Sequence, residues 1–385
     1  MVTAHGTGPR LTWPPGFGTV FDQSVQNQSL ADQVRRGGYR VSSMAGSDPT
    51  ITFPRLVSER VQAVSPSASR AATSPGIELD TGWVDSVRVN LSAAERRVDT
   101  LPRRRTVKKA WQAAWLLKAV SLMDLTTLSA DDTAGRVSRL CAKARAPVRA
   151  DLLEALGWDG RPLTTAAVCV YHEMVPIARA ALAGSGIAIA AVSTGFPAGL
   201  SPLELRVEEI RRSVQAGATE IDVVISRRHV LTSDWPALYA EVRAFREACG
   251  PAHMKTILGT GQLGSIGKVA KAALVAMMAG SDFVKTSTGM EPVNATLPVS
   301  LVMMRMIREF AERTGRRVGF KPAGGISSAK TALTYLMLLK EELGNEWLTP
   351  ERFRFGASRL LGDIERQLEH QVTGRYSAAH RHPSS

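Results

Sequence analysis

The chain is poor in cysteine. It has three in 385 residues, Cys141, Cys169 and Cys249, far apart and with no CxxC pair. That excludes a disulfide framework and a thiolate zinc site, and predicts buried free thiols in a reducing cytoplasm. The seven histidines, His5, His172, His229, His253, His370, His380 and His382, stand without metal-ligand spacing, and no HExxH occurs, so no metal is expected. No GxSxG elbow of a serine hydrolase is present. No GxGxxG follows the first strand-like run, which argues against an open doubly wound sheet. Every long apolar stretch is broken by a charge or a proline before about 18 residues, so no transmembrane helix is expected. The opening MVTAHGTGPRLTWPPGFG lacks the apolar segment of a secretory signal. Aromatic residues are scarce at 6%, and none interleaves with the basic cluster formed by Arg96, Arg97, Arg103, Arg104, Arg105, Lys108 and Lys109. A formal charge of +13 fits nucleic-acid contact but also an enzyme that attracts phosphorylated substrates, and the cluster reads first as a solvated, basic helix start, with an RNA- or phosphate-binding patch as the lesser reading.

What is present divides into two textures. Residues 1–75 are interrupted by Pro9, Pro14, Pro15, Pro49, Pro54, Pro66 and Pro75, and SPSASRAATSPG (65–76) is of low complexity, so this extension is predicted to be disordered. A helical segment is expected over 76–115, a folded domain over 116–376, and a solvated tail over 377–385 that carries His380, Arg381 and His382. Within the domain, short apolar runs alternate with amphipathic stretches. The runs are LKAVSLMDL (117–125), AAVCVY (166–171), IAIAAVST (187–194), EIDVVIS (220–226), HMKTIL (253–258), DFVKTS (282–287), RVGFKPA (317–323) and FRFGAS (353–358). Each is apolar on both parities, the pattern of a parallel strand buried on both faces. Helices are predicted over 201–217 with Ser201 as cap, over 264–280, over 327–344, and after Ser129 with Asp131 and Asp132 in the first turn. Eight strand–helix units over about 250 residues predict an α/β fold, a (β/α)8 TIM barrel. An open doubly wound sheet is the competing architecture.

In such barrels, catalytic groups project from the carboxyl ends of the strands. Polar residues that interrupt the runs are therefore the candidates: Asp124, Asp222, Lys255, Lys285 and Lys321. A lysine flanked by Phe283 and Val284, or by Gly319 and Phe320, is costly to bury as an ammonium, so its pKa falls, and a second lysine nearby lowers it further. A neutral amine at pH 7 is what Schiff-base formation with a carbonyl requires. Asp222 is placed to shuttle protons or to hold the second lysine charged. Gly324 and Gly325 precede one predicted helix, and Gly356 and Ser358 precede the last. Glycine loops at helix N-termini after the seventh and eighth strands are the usual phosphate site of this fold.

These residues bring a resemblance into view. The segments RRTVKKAWQAAWLLKAVSLMDLTTLSADDT (104–133), TTAAVCVY (164–171), GATEIDVVI (217–225), MMAGSDFVKTSTG (277–289), VGFKPAGGI (318–326) and QVTGRY (371–376) resemble the deoxyribose-phosphate aldolase family in its longer animal form. The resemblance implies a class I aldolase, a carbon–carbon lyase needing neither metal nor other cofactor. It would cleave 2-deoxy-D-ribose 5-phosphate reversibly in deoxyribonucleoside catabolism, in the cytoplasm, and could be a homo-oligomer. By motif position, Lys285 would form the Schiff base, Lys321 would tune it, and Asp222 would be the acid/base. Gly324, Gly325, Gly356, Ser358 and Thr288 would bind phosphate or substrate, with Asp124 and Lys255 lining the site. The chain departs from the family at Met290, where a phosphate-binding lysine is common, at Gln262, where an acid is common, and at its end, where Tyr376 is the remaining candidate for a site tyrosine. Two other readings stay open. One is a different Schiff-base or phosphosugar enzyme on the same barrel. The other is a binding protein that uses the basic segment on RNA or a partner.

Overall fold

The computed structural model describes residues 72–104, 107–158 and 162–382. The disorder expected of residues 1–75 therefore falls, up to residue 71, outside the described residues. Eight strands form one sheet: β1 Met123–Thr126, β2 Ala167–Tyr171, β3 Ala188–Ser193, β4 Glu220–Val224, β5 His253–Ile257, β6 Phe283–Lys285, β7 Gly319–Lys321 and β8 Phe355–Ala357. Every pair is parallel, in the order β7-β6-β5-β4-β3-β2-β1-β8. Bridges from Phe320 to Phe353 and from Ala323 to Gly356 join the two ends, so the sheet closes into the (β/α)8 barrel that the spacing of the runs predicts.

All eight predicted runs contain a strand, but the first is shared. Residues 117–121 complete the helix Lys109–Ser121, and only Met123–Thr126 pairs in the barrel. Apolarity alone could not separate the two, because that helix end is buried nearly all round, from Leu116 to Val120. The same helix runs across residue 115, where the helical segment was expected to end. Helix starts hold a second correction. Pro202, not Ser201, is the cap of Leu203–Ala216, and Thr133, not Ser129, caps Ala134–Arg145 by accepting from the Arg136 N–H. Ser265 and Ser328 do cap Ile266–Met278 and Ala329–Leu343. Leu203–Ala216 ends on Gly217 in the left-handed conformation, which relieves the last turn.

An aromatic cluster packs between the barrel and its helices, on the strand face opposite Lys321 and Arg354, where Phe355 also meets Tyr335 of the helix Ala329–Leu343. Phe353 meets Phe355 edge-on with centroids 4.8 Å apart and leans on Phe320 at 6.2 Å. These rings are fully buried. Truncating one to alanine would cost about 3–5 kcal/mol through lost transfer energy and the cavity left behind.

The three cysteines are buried and free. The tail differs from expectation: His380 and Arg381 are exposed, but His382 is buried, accepting or donating at 2.7 Å to Glu369 and 2.8 Å to Ser377. The pairing of this side chain with carboxylates on the helix Leu360–Thr373 explains why a polar tail residue turns inward.

Candidate active site

The register of neighbouring strands gathers the charged candidates. Lys285 pairs with Lys321 across β6 and β7, and Asp222 pairs with Lys255 across β4 and β5. Their side chains converge inside the barrel. Lys285 Nζ donates to Asp222 Oδ2 at 2.7 Å, and Lys321 Nζ donates to the same oxygen at 2.8 Å. Lys321 also reaches Asp124 Oδ2 at 2.5 Å. Lys255 donates to Asp222 Oδ1 at 3.0 Å and lies 2.5 Å from Glu220 Oε2. Arg354, one residue before β8, spans Asp124 Oδ1 at 2.6 Å and Glu220 Oε1 at 2.8 Å. Every member is buried.

The charges do not balance. Four cations, Lys255, Lys285, Lys321 and Arg354, face three carboxylates, Asp124, Glu220 and Asp222. A net charge sealed from water is expensive, and the cluster can shed it by losing one proton. Arg354 cannot deprotonate. Lys321 is held by two carboxylates and Lys255 by three, while Lys285 is paired with Asp222 alone. The proton that leaves at least cost is therefore that of Lys285. The individual shifts agree. Burial pushes the Lys285 amine below the ordinary lysine range, and the Lys321 charge adds to this, against the pull of Asp222. Burial works against the charge on Lys321 and Lys255 too. There the facing carboxylates outweigh it, so both are raised. Asp222 is buried but held well below the carboxylate range by Lys255, Lys285 and Lys321. One strand pair thus carries a lysine poised to be neutral next to a lysine fixed as a cation, with one carboxylate oxygen touching both.

Glycine keeps this cluster intact. A Cβ at Gly356 would stand 2.8 Å from Ala323 Cβ and 3.2 Å from Lys321 Cε, so any side chain there would displace the Lys321 stem. Above it, Gly324 and Gly325 both adopt positive φ, +81° and +79°, and space is open where a Gly325 side chain would be. Two helices begin nearby. Ala329–Leu343 is capped by Ser328, and its Ala329 N–H donates to Asp363, whereas Leu360–Thr373 follows Ser358 and has no side-chain cap. An uncapped helix start beside open glycine backbone suits a phosphate.

The structure thus brings Lys285, Lys321, Asp222, Asp124 and Lys255 into one cluster, with Gly324, Gly325, Gly356 and Ser358 at the strand ends just beyond. Thr288 is engaged elsewhere, donating its hydroxyl to Glu291 at 2.7 Å. Gln262 and Met290 line a cavity at the mouth, and Tyr376 is exposed, stacked on His370 at 4.1 Å. Of the basic segment, Arg97 and Arg104 are both taken up by Glu341 at 2.6 Å, and Arg103 by Asp99 at 3.0 Å; Arg105 lies outside the described residues. Sequence reasoning missed Glu220 and Arg354. Each is a charge inside an apolar strand run, the same signal that singled out the lysines. It also missed Glu291, in a loop, and Arg227, at the start of the short helix Arg227–Leu231, where no periodicity marks them.

The class that this fold and cluster describe is that of lysine-dependent aldolases on a (β/α)8 barrel. The profile of the DeoC/LacD family aldolases matches residues 118–341, and the chain belongs to that family. It is 62% identical to the deoxyribose-phosphate aldolase of Mus musculus over 317 residues, 82% of this chain and 100% of that one. It is 59% identical to that of Homo sapiens over the same shares. A solved Toxoplasma gondii structure assigned to deoxyribose-phosphate aldolase shares the fold, with a TM-score of 0.57 at 19% identity, over 70% of this chain and 98% of that one.

Proposed function

We propose that this protein is a deoxyribose-phosphate aldolase, cleaving 2-deoxy-D-ribose 5-phosphate reversibly into D-glyceraldehyde 3-phosphate and acetaldehyde, with Lys285 as the Schiff-base lysine. The observation that carries the residue assignment is the surplus of one buried cation, with Lys285 the least tightly paired of the four. The substrate rests on the family and on relatives near 60% identity.

The neutral amine of Lys285 attacks the C1 aldehyde of the open-chain sugar, and loss of water leaves an iminium. The C3 hydroxyl then gives up its proton and the C2–C3 bond breaks. Its electron pair passes into the iminium, leaving an enamine and releasing glyceraldehyde 3-phosphate. Protonation of the enamine at C2 and hydrolysis return acetaldehyde and free Lys285. Asp222 and Lys321, sharing an oxygen–amine contact of 2.8 Å, form the proton relay through a bound water. Asp124, Lys255, Glu220 and Arg354 keep Lys321 and Asp222 charged and in place. Gly324, Gly325 and Ser358 hold the phosphate through backbone N–H groups and the uncapped helix start, while Gly356, whose N–H is donated to the Pro322 carbonyl at 3.0 Å, contributes by leaving room beside Lys321. On the family resemblance we also assign the enzyme to deoxyribonucleoside catabolism in the cytoplasm, as a homo-oligomer.

The test is borohydride trapping. The full chain is incubated with deoxyribose 5-phosphate and EDTA, reduced, digested and mapped by mass spectrometry. An adduct on Lys285 is the expected result. An adduct on Lys321 or Lys255, or none on folded protein, would overturn the assignment.

A further inference from the structure

The loop that follows β6 closes on a single carboxylate. Glu291 accepts the backbone N–H groups of Thr288 at 3.0 Å and Gly289 at 3.2 Å, and the Thr288 hydroxyl at 2.7 Å. From the first residue of the short helix Arg227–Leu231 after β4, Arg227 adds its Nη2 at 3.2 Å. Successive N–H groups that converge on one point form an anion nest. With a guanidinium beside them, these donors suit any phosphate or carboxylate, and they begin three residues beyond Lys285. Their occupant is part of the chain itself. Burial opposes the Glu291 charge, but the hydrogen bonds of Thr288 and Arg227 outweigh it and hold the carboxyl below its ordinary range.

Arg227 is built into this arrangement. Its Nη1 donates to the Ala198 carbonyl at 2.8 Å and its Nη2 to that of Pro197 at 3.2 Å, while its Nε is buried without a hydrogen-bond partner. Gly259 makes room for it, since a Cβ there would stand 2.4 Å from that Nε. A cavity of about 340 Å³ opens over the pair, lined among others by Leu200, Arg228, Thr288 and Met290. An inorganic phosphate fits that volume with space to spare.

We infer that Glu291 is a specificity-determining residue: it fills the anion nest at the mouth and so confines phosphate recognition to the glycine loops after β7 and β8. The inference takes the identity of the substrate from the proposed function, whereas the nest itself is a property of the fold. A phosphate that enters the cavity meets a carboxylate where it would otherwise meet three donors and a guanidinium. An unphosphorylated sugar carries no charge for that carboxylate to repel. Glu291 thus lowers the preference for the phosphorylated substrate, in the same direction as Met290, which offers the mouth no charge.

The experiment measures phosphate binding and substrate preference separately. Inorganic phosphate is titrated by calorimetry into the wild-type chain, E291A, E291Q and the E291A R227M double variant. In parallel, the kcat/KM ratio for deoxyribose 5-phosphate over deoxyribose is determined for each. E291A is expected to bind phosphate about three- to tenfold more tightly, the scale of one partly screened charge contact, and to raise the ratio by a similar factor. E291Q keeps an acceptor in the nest without the charge and should show a smaller gain. R227M should cancel the gain of E291A. Unchanged or weaker phosphate binding by folded E291A, or a gain that survives R227M, overturns the inference. If E291A does not fold, the sign of the change in E291Q decides. If the wild-type chain cleaves no deoxyribose 5-phosphate, the proposed function fails while the phosphate titration still tests the nest.

Discussion

Two groups of buried charge among the described residues differ in one respect, and only the inner one holds the lysine proposed as nucleophile. Inside the barrel, seven side chains from β1, β4, β5, β6, β7 and the residue before β8 are all 6% exposed or less. On the outer wall, Glu365 and Glu369 face Lys143 at 2.8 Å, Arg149 at 3.4 Å, Arg381 at 3.2 Å and His382 at 2.7 Å. The outer carboxylates are as buried as the inner ones, but Lys143, Arg149 and Arg381 are 17%, 35% and 52% exposed. A cation that reaches water can be solvated whatever its neighbours do, so an imbalance of charge there has no strong effect on any one proton. A cation sealed behind a wall of Phe and Val cannot. Enclosure, more than the number of charges, drives a surplus cation to give up its proton.

The comparison breaks most sharply at Lys285. Replacing it with Met removes the nucleophile and the surplus charge together, and should lower kcat by more than about 10⁴-fold with the fold intact, read by steady-state assay and circular dichroism. Retention of a tenth of the activity would show that another amine does the chemistry. The next effect is one of sign. The charge of Lys321 lowers the Lys285 pKa and that of Asp222 raises it. Activity needs the neutral amine, so the acid limb of the kcat/KM profile follows that pKa. An Lys321→Leu change should move the limb to higher pH and Asp222→Asn to lower pH, each with a loss of about 10²–10⁴-fold in rate from the missing proton relay. Shifts in the same direction would refute the electrostatic account.

How much of this was legible in the sequence follows from where each residue sits. Lys285, Lys321 and Asp222 interrupt runs that are otherwise apolar on both parities, and a charge in such a run has nowhere to go but the interior. Glu220 and Arg354 carry the same signature. At the edges of their runs, however, a charge reads equally well as a strand end turning to solvent, and only barrel closure across β8 shows that they are sealed in. A loop and a single-turn helix carry no readable period, so nothing in the sequence pairs Glu291 with Arg227, 64 residues away. The helix Lys109–Ser121 was misread in part because a helix buried all round looks like a buried strand. His382 was misread because a short polar tail gives no hint that two glutamates wait on the preceding helix.

The remaining predictions sharpen the contrast between the two groups. Arg354→Met leaves Asp124 and Glu220 short of a partner in a sealed interior. Breaking such a buried pair should cost about 3–5 kcal/mol, and it also removes the surplus charge that favours a neutral Lys285. Both stability and activity should therefore fall, measured by denaturant melts and assay. His382→Ala removes the hydrogen-bonded contacts to Glu369 and Ser377 on the outer wall, where exposed arginines and water can take over. Its cost should be about 1 kcal/mol in the same melts, and kcat and the position of the acid limb should stay as they are. If His382→Ala moved the acid limb as Arg354→Met does, the outer cluster would be coupled to the Lys285 proton. Enclosure would then no longer account for why only the inner group lowers the pKa of a lysine.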